Sequence, residues 1–144
     1  MKLVIDASVA VKWIFPDLLV EPHADRAAAV LRAVRDGTVE VLQPLHWLVE
    51  VMAVVARIAP DIRIPALNLL DALELEICDD VSILGRGAAL AAELDHHLFD
   101  TLYHAVALER EATLLTADAR YARKARRTGR VWLLGEPTPV PGLD

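Results

Sequence analysis

Four acidic residues stand at the edges of otherwise apolar segments of this 144-residue chain: Asp6 in LVIDAS, Glu50 in HWLVEV, Asp100 in LFDTLYHAVA and Asp118 in LLTADARY. A carboxylate in such a place is costly to desolvate unless another charge compensates it. Four of them suggest a shared counter-ion, and an oxygen-only set favours Mg²⁺ or Mn²⁺ over zinc. The usual work of such a cluster is phosphodiester chemistry. Asp6, Asp100 and Asp118 each have a second reading as helix caps. Glu50 does not: Trp47, Leu48, Val49, Val51, Met52, Val54 and Val55 surround it, and the first base after it is Arg57. Capping therefore accounts for three acids one at a time, whereas a metal accounts for all four together. Ser8 follows Asp6 by two residues and Thr116 precedes Asp118 by two. Each hydroxyl suits either the orientation of a carboxylate or a plain cap.

A competing metal reading uses His96, Asp100 and His104, which share a face if one helix runs through all three, with His97 nearby. Leu98-Phe99-Asp100 reads as a helix start, which breaks that face. His46 and Glu50 also stand four apart, with His46 read as a structural residue at the start of an apolar helix. No Walker-type GxxxxGK[ST], GxGxxG or GxSxG motif occurs, and GRG at 85–87 is too short to carry meaning. Trp13, Trp47 and Trp132 are dispersed and read as core or interface residues.

The elements that must position these groups alternate between strand and helix. KLVID (2–6) reads as a buried parallel strand and SVAVKWIF (8–15) as a short helix stopped by Pro16. A helix over 21–36 closes at Gly37, and a strand over 39–44 ends at Pro44. Apolar helices follow over 45–58 and 64–75, then a weak strand over 76–81. A helix over 82–95 starts at Ser82 as N-cap, with Gly85 and Gly87 weakening its first turns. The helix 99–112, strand 113–117, helix 118–127 and strand 130–134 complete the series. This pattern predicts a parallel sheet with helices on both faces and right-handed crossovers, with ligands at the carboxyl ends of the strands. Residues 1–134 read as one domain, and the Pro-rich 135–144 as an irregular tail.

Composition supports this frame. Hydrophobic residues make up 55% and charged residues 25%, enough for a core and against disorder. No apolar run is long enough to span a bilayer. The start MKLVIDAS is broken at Asp6, unlike a secretory signal, and the single Cys78 reads as a small core residue in a reducing cytoplasm. Net charge is −6, which argues against coating nucleic acid by bulk attraction. Yet Arg120, Arg123, Lys124, Arg126, Arg127 and Arg130 gather in one acid-free stretch, 6 of the 15 basic residues. Beside an acidic cluster, such a patch suits a polyanion held across a metal site, or equally a solvated helix end.

DASVAVKWIFPD at 6–17, the Pro-initiated helix bearing Glu at 44–50, and FDTLYHAVALEREATLLTADARY at 99–121 resemble the PIN domain family, above all VapC-type toxins of prokaryotic toxin–antitoxin pairs. The likeness spans roughly residues 2–134. It implies a three-layer α/β/α fold with central parallel sheet order 3-2-1-4-5, and a metal-dependent endoribonuclease. Asp6, Glu50, Asp100 and Asp118 would then hold one or two Mg²⁺ or Mn²⁺ ions, with Ser8 and Thr116 in support. Lys12 and the basic stretch (Arg120, Arg123, Lys124, Arg126, Arg127) would position RNA through phosphates, with Lys12 equally readable as a solvated surface residue. The resemblance also implies a VapB-like antitoxin; the apolar helices at 8–15 and 45–75 give more hydrophobic surface than one small sheet needs, which reads as a homodimer or antitoxin interface or simply as a thick core. Many relatives carry an Asn shortly after the Glu; here Met52-Ala53-Val54-Val55 follows. The alternatives are a PIN nuclease of RNA processing without an antitoxin, a non-catalytic PIN-like or receiver-like binding domain, and a metal-dependent phosphatase. An antitoxin reading frame directly upstream separates the first alternative, and a phosphatase substrate panel exposes the last.

Overall fold

The computed structural model describes residues 1–16 and 23–137. Five parallel strands form one sheet in the order β3-β2-β1-β4-β5: β1 (Lys2–Ile5), β2 (Glu40–Pro44), β3 (Glu76–Cys78), β4 (Thr113–Thr116) and β5 (Val131–Leu133). This is the expected order. Leu3, Val4, Ile5, Leu114 and Leu115 are buried, because a central parallel strand has both faces covered. Between β1 and β2 the ladder is extended by a side chain. Buried Gln43 accepts from Ile5 N–H and donates to Ile5 C=O, both at 2.9 Å, so its amide acts as a peptide unit at the carboxyl end of β1.

The helices are α1 (Ala7–Ile14), α2 (Ala24–Arg35), α3 (Trp47–Ile58), α4 (Arg63–Asp71), α5 (Val81–Leu94), α6 (Leu98–Glu109) and α7 (Ala119–Ala125), with a single 3₁₀ turn at Pro60–Ile62. Connections from β1 to β2 and β2 to β3 run one way along the sheet, and those from β3 to β4 and β4 to β5 run the other. Right-handed crossovers therefore place α1–α4 on one face and α5–α7 on the opposite face. α1 packs on α2 and α3, while α6 lies over β1, β2 and β4 with α5 against it. The Trp13 indole N–H donates to Ala27 C=O at 2.9 Å and ties α1 to α2.

Three expectations are corrected. α5 begins at Val81 after Asp80, so Ser82 lies inside the first turn; Ile83 N–H bonds Asp80 C=O, and the Asp80 carboxylate turns away to Arg110. α4 stops at Asp71 rather than 75, because Leu73 and Glu74 form a turn in which Glu74 adopts φ 49° before β3. α1 offers little apolar surface to a partner, since Ala7, Val9, Ala10, Val11 and Trp13 are all buried. The start of the predicted 21–36 helix and the end of the tail, 138–144, lie outside the described residues. Among the described residues no helix is long and apolar enough to cross a membrane.

Candidate metal centre

The sheet reverses its direction of winding between β1 and β4, and both strands deliver an acid there. Asp6 directly follows β1, and Asp118 follows β4 by two residues. Asp6 sits at the cap position of α1 without capping it through its side chain. Its Oδ2 instead accepts from Ser8 Oγ at 2.6 Å and Thr116 Oγ1 at 2.8 Å. The same two hydroxyls accept from the loop, Ser8 Oγ from Ala117 N–H and Thr116 Oγ1 from Asp118 N–H. Ser8 and Thr116 thus lock the Asp6 carboxylate to the loop that carries Asp118. Asp118 is a true N-cap: its Oδ1 accepts from Arg120 N–H at 2.9 Å and Tyr121 N–H at 3.1 Å.

Glu50 and Asp100 come in on the first turns of α3 and α6. Each is held by a histidine four residues earlier. His46 Nε2 lies 3.0 Å from Glu50 Oε1 and 2.7 Å from Phe99 C=O; both are acceptors, so Nε2 carries the proton. Tyr103 Oη donates to Glu50 Oε2 at 3.4 Å. Burial, then the charges of Glu50 and Asp6, hold the Tyr103 phenol far above its ordinary value, so it remains a neutral donor. Burial pulls the His46 imidazole down, but its bonds to Glu50 and Phe99 with the nearby charges outweigh this and raise it. His96 Nε2 donates to Asp100 Oδ2 at 2.8 Å, and its Nδ1 faces the Lys124 ammonium at 3.4 Å. The three aspartates share a pattern: one oxygen is used for orientation, Oδ2 in Asp6 and Asp100 and Oδ1 in Asp118, and among the described residues the other accepts no hydrogen bond.

The structure brings His96, Asp100 and Asp118 together and places Asp6 within electrostatic reach of Asp100 and Glu50. A donor nitrogen of His96 and carboxylate oxygens of Asp100 and Asp118 lie within 4.8 Å of one another. Asp6 feels the charges of both Asp100 and Glu50. Burial pushes the Asp6 carboxyl up to about 6, the Ser8 and Thr116 hydroxyls pull it down, and the two neighbouring charges push it up again. A buried carboxylate beside two further negative charges is short of a cation, and carboxylate oxygens suit a hard divalent ion. The residues present therefore fit a divalent cation.

The competing histidine set is broken up. α6 starts at Leu98, so His96 stands in the preceding turn, yet it still reaches Asp100. His104 is fully buried, accepting from Tyr121 Oη at Nδ1 and donating to Gly129 C=O at Nε2. Burial lowers its basicity, and with both nitrogens engaged it has no lone pair for a metal. His46, His96 and Tyr103 are the site residues that sequence reasoning undervalued; the signal for the histidines was the i,i+4 spacing to an acid. Lys12 is only 4% exposed, so the surface reading of it is corrected. It lines a cavity of about 190 Å³ with His23, Ala117, Ala119, Leu133, Leu134 and Gly135, and burial lowers its basicity. In the basic stretch, Arg126 pairs with Glu136 and Lys124 donates to Asp95 C=O. Cys78 is buried as expected, with its thiol pushed up by burial.

The crystal structure of VapBC2 from Rickettsia felis bound to a promoter DNA fragment contains a chain that matches this fold with a TM-score of 0.60 at 16% identity, covering 92% of this chain and 97% of that one. FitAcB from Neisseria gonorrhoeae matches with a TM-score of 0.59 at 18% identity, covering 94% and 99%. At these identities the likeness concerns the fold. Curated protein sequences give no match. The model of the PIN domain matches residues 3–127, most of the length and every acid of the cluster, and the chain belongs to the PIN domain family.

Proposed function

We propose that this protein is a metal-dependent endoribonuclease and the toxin of a toxin–antitoxin pair. The reading is supported by Asp6 and Asp118 just beyond β1 and β4, by Asp100 and His96 beside Asp118, and by the charges of Asp100 and Glu50 acting on Asp6, with one oxygen of each aspartate already oriented by the protein. These four acids would hold one or two Mg²⁺ or Mn²⁺ ions. When bound, such an ion acidifies a water and offsets charge on the scissile phosphate. The chain's own residues do the positioning. Ser8 and Thr116 aim Asp6, His46 and Tyr103 hold Glu50, and His96 holds Asp100. Water attacks the phosphorus in line, leaving a 5′-phosphate and a 3′-hydroxyl.

The antitoxin assignment is supported by an apolar groove between α3 and α4, about 550 Å³ in volume and lined by Leu45, Leu48, Val49, Met52, Ala53 and Leu67. Leu45 and Val49 are each 70% exposed, only a turn from Glu50, so a segment seated there reaches the acids. We assign a second face, Ile77, Val81 and Leu84 at the open β3 edge of the sheet, to a homodimer.

The direct test is cleavage of total RNA by antitoxin-free protein in Mg²⁺, Mn²⁺ or EDTA, with Asp6→Asn as the comparison. Discrete cuts that need metal and vanish in the variant are expected. A folded, antitoxin-free protein that cuts under neither metal refutes the nuclease reading.

A further inference from the structure

A polar cavity of about 180 Å³, lined by Asp95, His96, His97, Arg120 and Lys124, opens beside the carboxylates. The orientation of the four acids makes no use of it as a space. The turn between α5 and α6 supplies residues 95–97, and α7 brings Arg120 and Lys124 four apart on one face. His96 is the shared wall. Its side chain is 7% exposed, its ring packs on Tyr121 at 4.8 Å between centroids, and its Nε2 holds Asp100. Lys124 Nζ donates to Asp95 C=O at 2.9 Å and faces His96 Nδ1 at 3.4 Å. A chain of contacts from Lys124 through His96 to Asp100 therefore joins the cavity to the candidate metal centre. An ammonium has three N–H groups, so Lys124 keeps one for a ligand. The lining carries two permanent cations and two imidazoles against one carboxylate, Asp95, in a protein of net charge −6.

We propose that this cavity is a phosphate subsite that grips the RNA backbone one nucleotide away from the scissile bond, with Arg120, Lys124 and His97 as donors. The proposal rests on the nuclease reading above and adds the residues that hold the strand. Arg offers a planar fork and Lys a point charge, which together suit a phosphate oxygen set. Arg120 and Lys124 then do specific work, while Arg123 and Arg127 contribute a diffuse field and Arg126 is engaged with Glu136.

The test uses full-length, antitoxin-free protein carrying Asp6→Asn, so that RNA is bound without being cut. Affinity for a short labelled single-stranded RNA is measured by anisotropy across salt concentrations. In parallel, inorganic phosphate is titrated at fixed pH while the His97 Hε1 resonance is followed. Arg120→Gln/Lys124→Gln is expected to weaken RNA binding about tenfold and to flatten the salt slope by about one to two. Arg32→Gln/Arg35→Gln on α2 removes the same charge and leaves both unchanged. Phosphate shifts His97 saturably, and the shift is lost in the Arg120/Lys124 double variant. Melting temperature and Mn²⁺ affinity serve as controls for that variant's fold and carboxylates. An equal loss from Arg126→Gln/Arg127→Gln overturns the subsite in favour of a diffuse basic face. RNA binding that survives the Arg120/Lys124 change, with no phosphate shift in the parent, also overturns it. A saturable phosphate shift without any RNA binding refutes the nuclease reading and leaves a bare anion site.

Discussion

Asp6 carries its charge against burial and two like neighbours, and that has a measurable signature. Its carboxyl is raised from 3.8 to about 6 in the folded, metal-free protein. The native state therefore binds this proton more tightly than the unfolded chain, so the stabilisation is fully present below about pH 4 and is lost as pH rises through about 6. The loss from this group amounts to roughly 3 kcal/mol. Thermal melts in EDTA from pH 4 to 8 are expected to show it. Asp6→Asn, which still accepts from Ser8 and Thr116 through its amide oxygen, raises the melting temperature at pH 7.5 by roughly 6–12 °C. A flat wild-type profile with no gain in the variant contradicts this. His46 has a separate effect. Removing its hold on Glu50 in His46→Ala is expected to weaken Mn²⁺ binding about tenfold in calorimetric titrations, with the fold retained. Unchanged affinity removes His46 from the site.

At the scale of elements, the pairing of α5 with α6 decides where Asp100 and His96 stand. Two glycines two residues apart play opposite parts in it. A Cβ on Gly87 would lie 2.9 Å from Leu102 Cδ2 and 3.4 Å from Leu98 Cδ1, and Thr101 Oγ1 donates to the Gly87 carbonyl at 2.7 Å. Gly87 thus lets the two helices approach, whereas a Cβ on Gly85 meets nothing within 4 Å. Gly87→Val is expected to destabilise by about 1–3 kcal/mol through overpacking. Gly85→Ala is expected to stabilise by about 0.5–1 kcal/mol, because alanine loses less entropy in a helix. Chemical denaturation of both variants checks the contrast, and equal effects would mean that α5 does not approach α6 this closely.

Across the whole molecule, the winding of the sheet puts the acids and an exposed apolar groove on neighbouring ground. Asp6 and Asp118 lie beyond the carboxyl ends of β1 and β4, and the α3–α4 groove begins at Leu45 and Val49 beside Glu50. Leu45→Glu/Val49→Glu is expected to abolish capture of the cognate antitoxin while leaving antitoxin-free RNA cleavage intact, measured by co-purification and by the cleavage assay. Retained capture moves the antitoxin elsewhere. Val81→Glu/Leu84→Glu, at the β3 edge, is expected to convert a dimer to a monomer in sedimentation velocity. No change in mass removes that face from the dimer.

The sequence by itself determined the alternation of short apolar strands and helices, and with it a parallel sheet whose carboxyl ends receive Asp6 and Asp118. These features are local: strand and helix periodicities and an acid at a strand end are written in consecutive residues. Glu50 was legible as a candidate because a carboxylate on an apolar helix, with no Lys or Arg after it before Arg57, needs something from elsewhere to offset its desolvation, and the structure supplies His46 and Tyr103. The tertiary structure decided the rest. Whether His104 or His96 meets Asp100 depends on α6 starting at Leu98 and on Tyr121 and Gly129 arriving from distant positions to bond His104. Lys12 is buried beside a cavity that His23, the loop after β4 and the end of β5 also line, which no local pattern around a lysine reveals. The boundary at Asp80 was set by the turn leaving β3, where Ser82 looked the better cap. The cavity of Arg120, Lys124 and His97 exists only because α7 packs beside the α5–α6 turn. Partner identity is a long-range property, fixed by which elements stack, and periodicity carries no information about it.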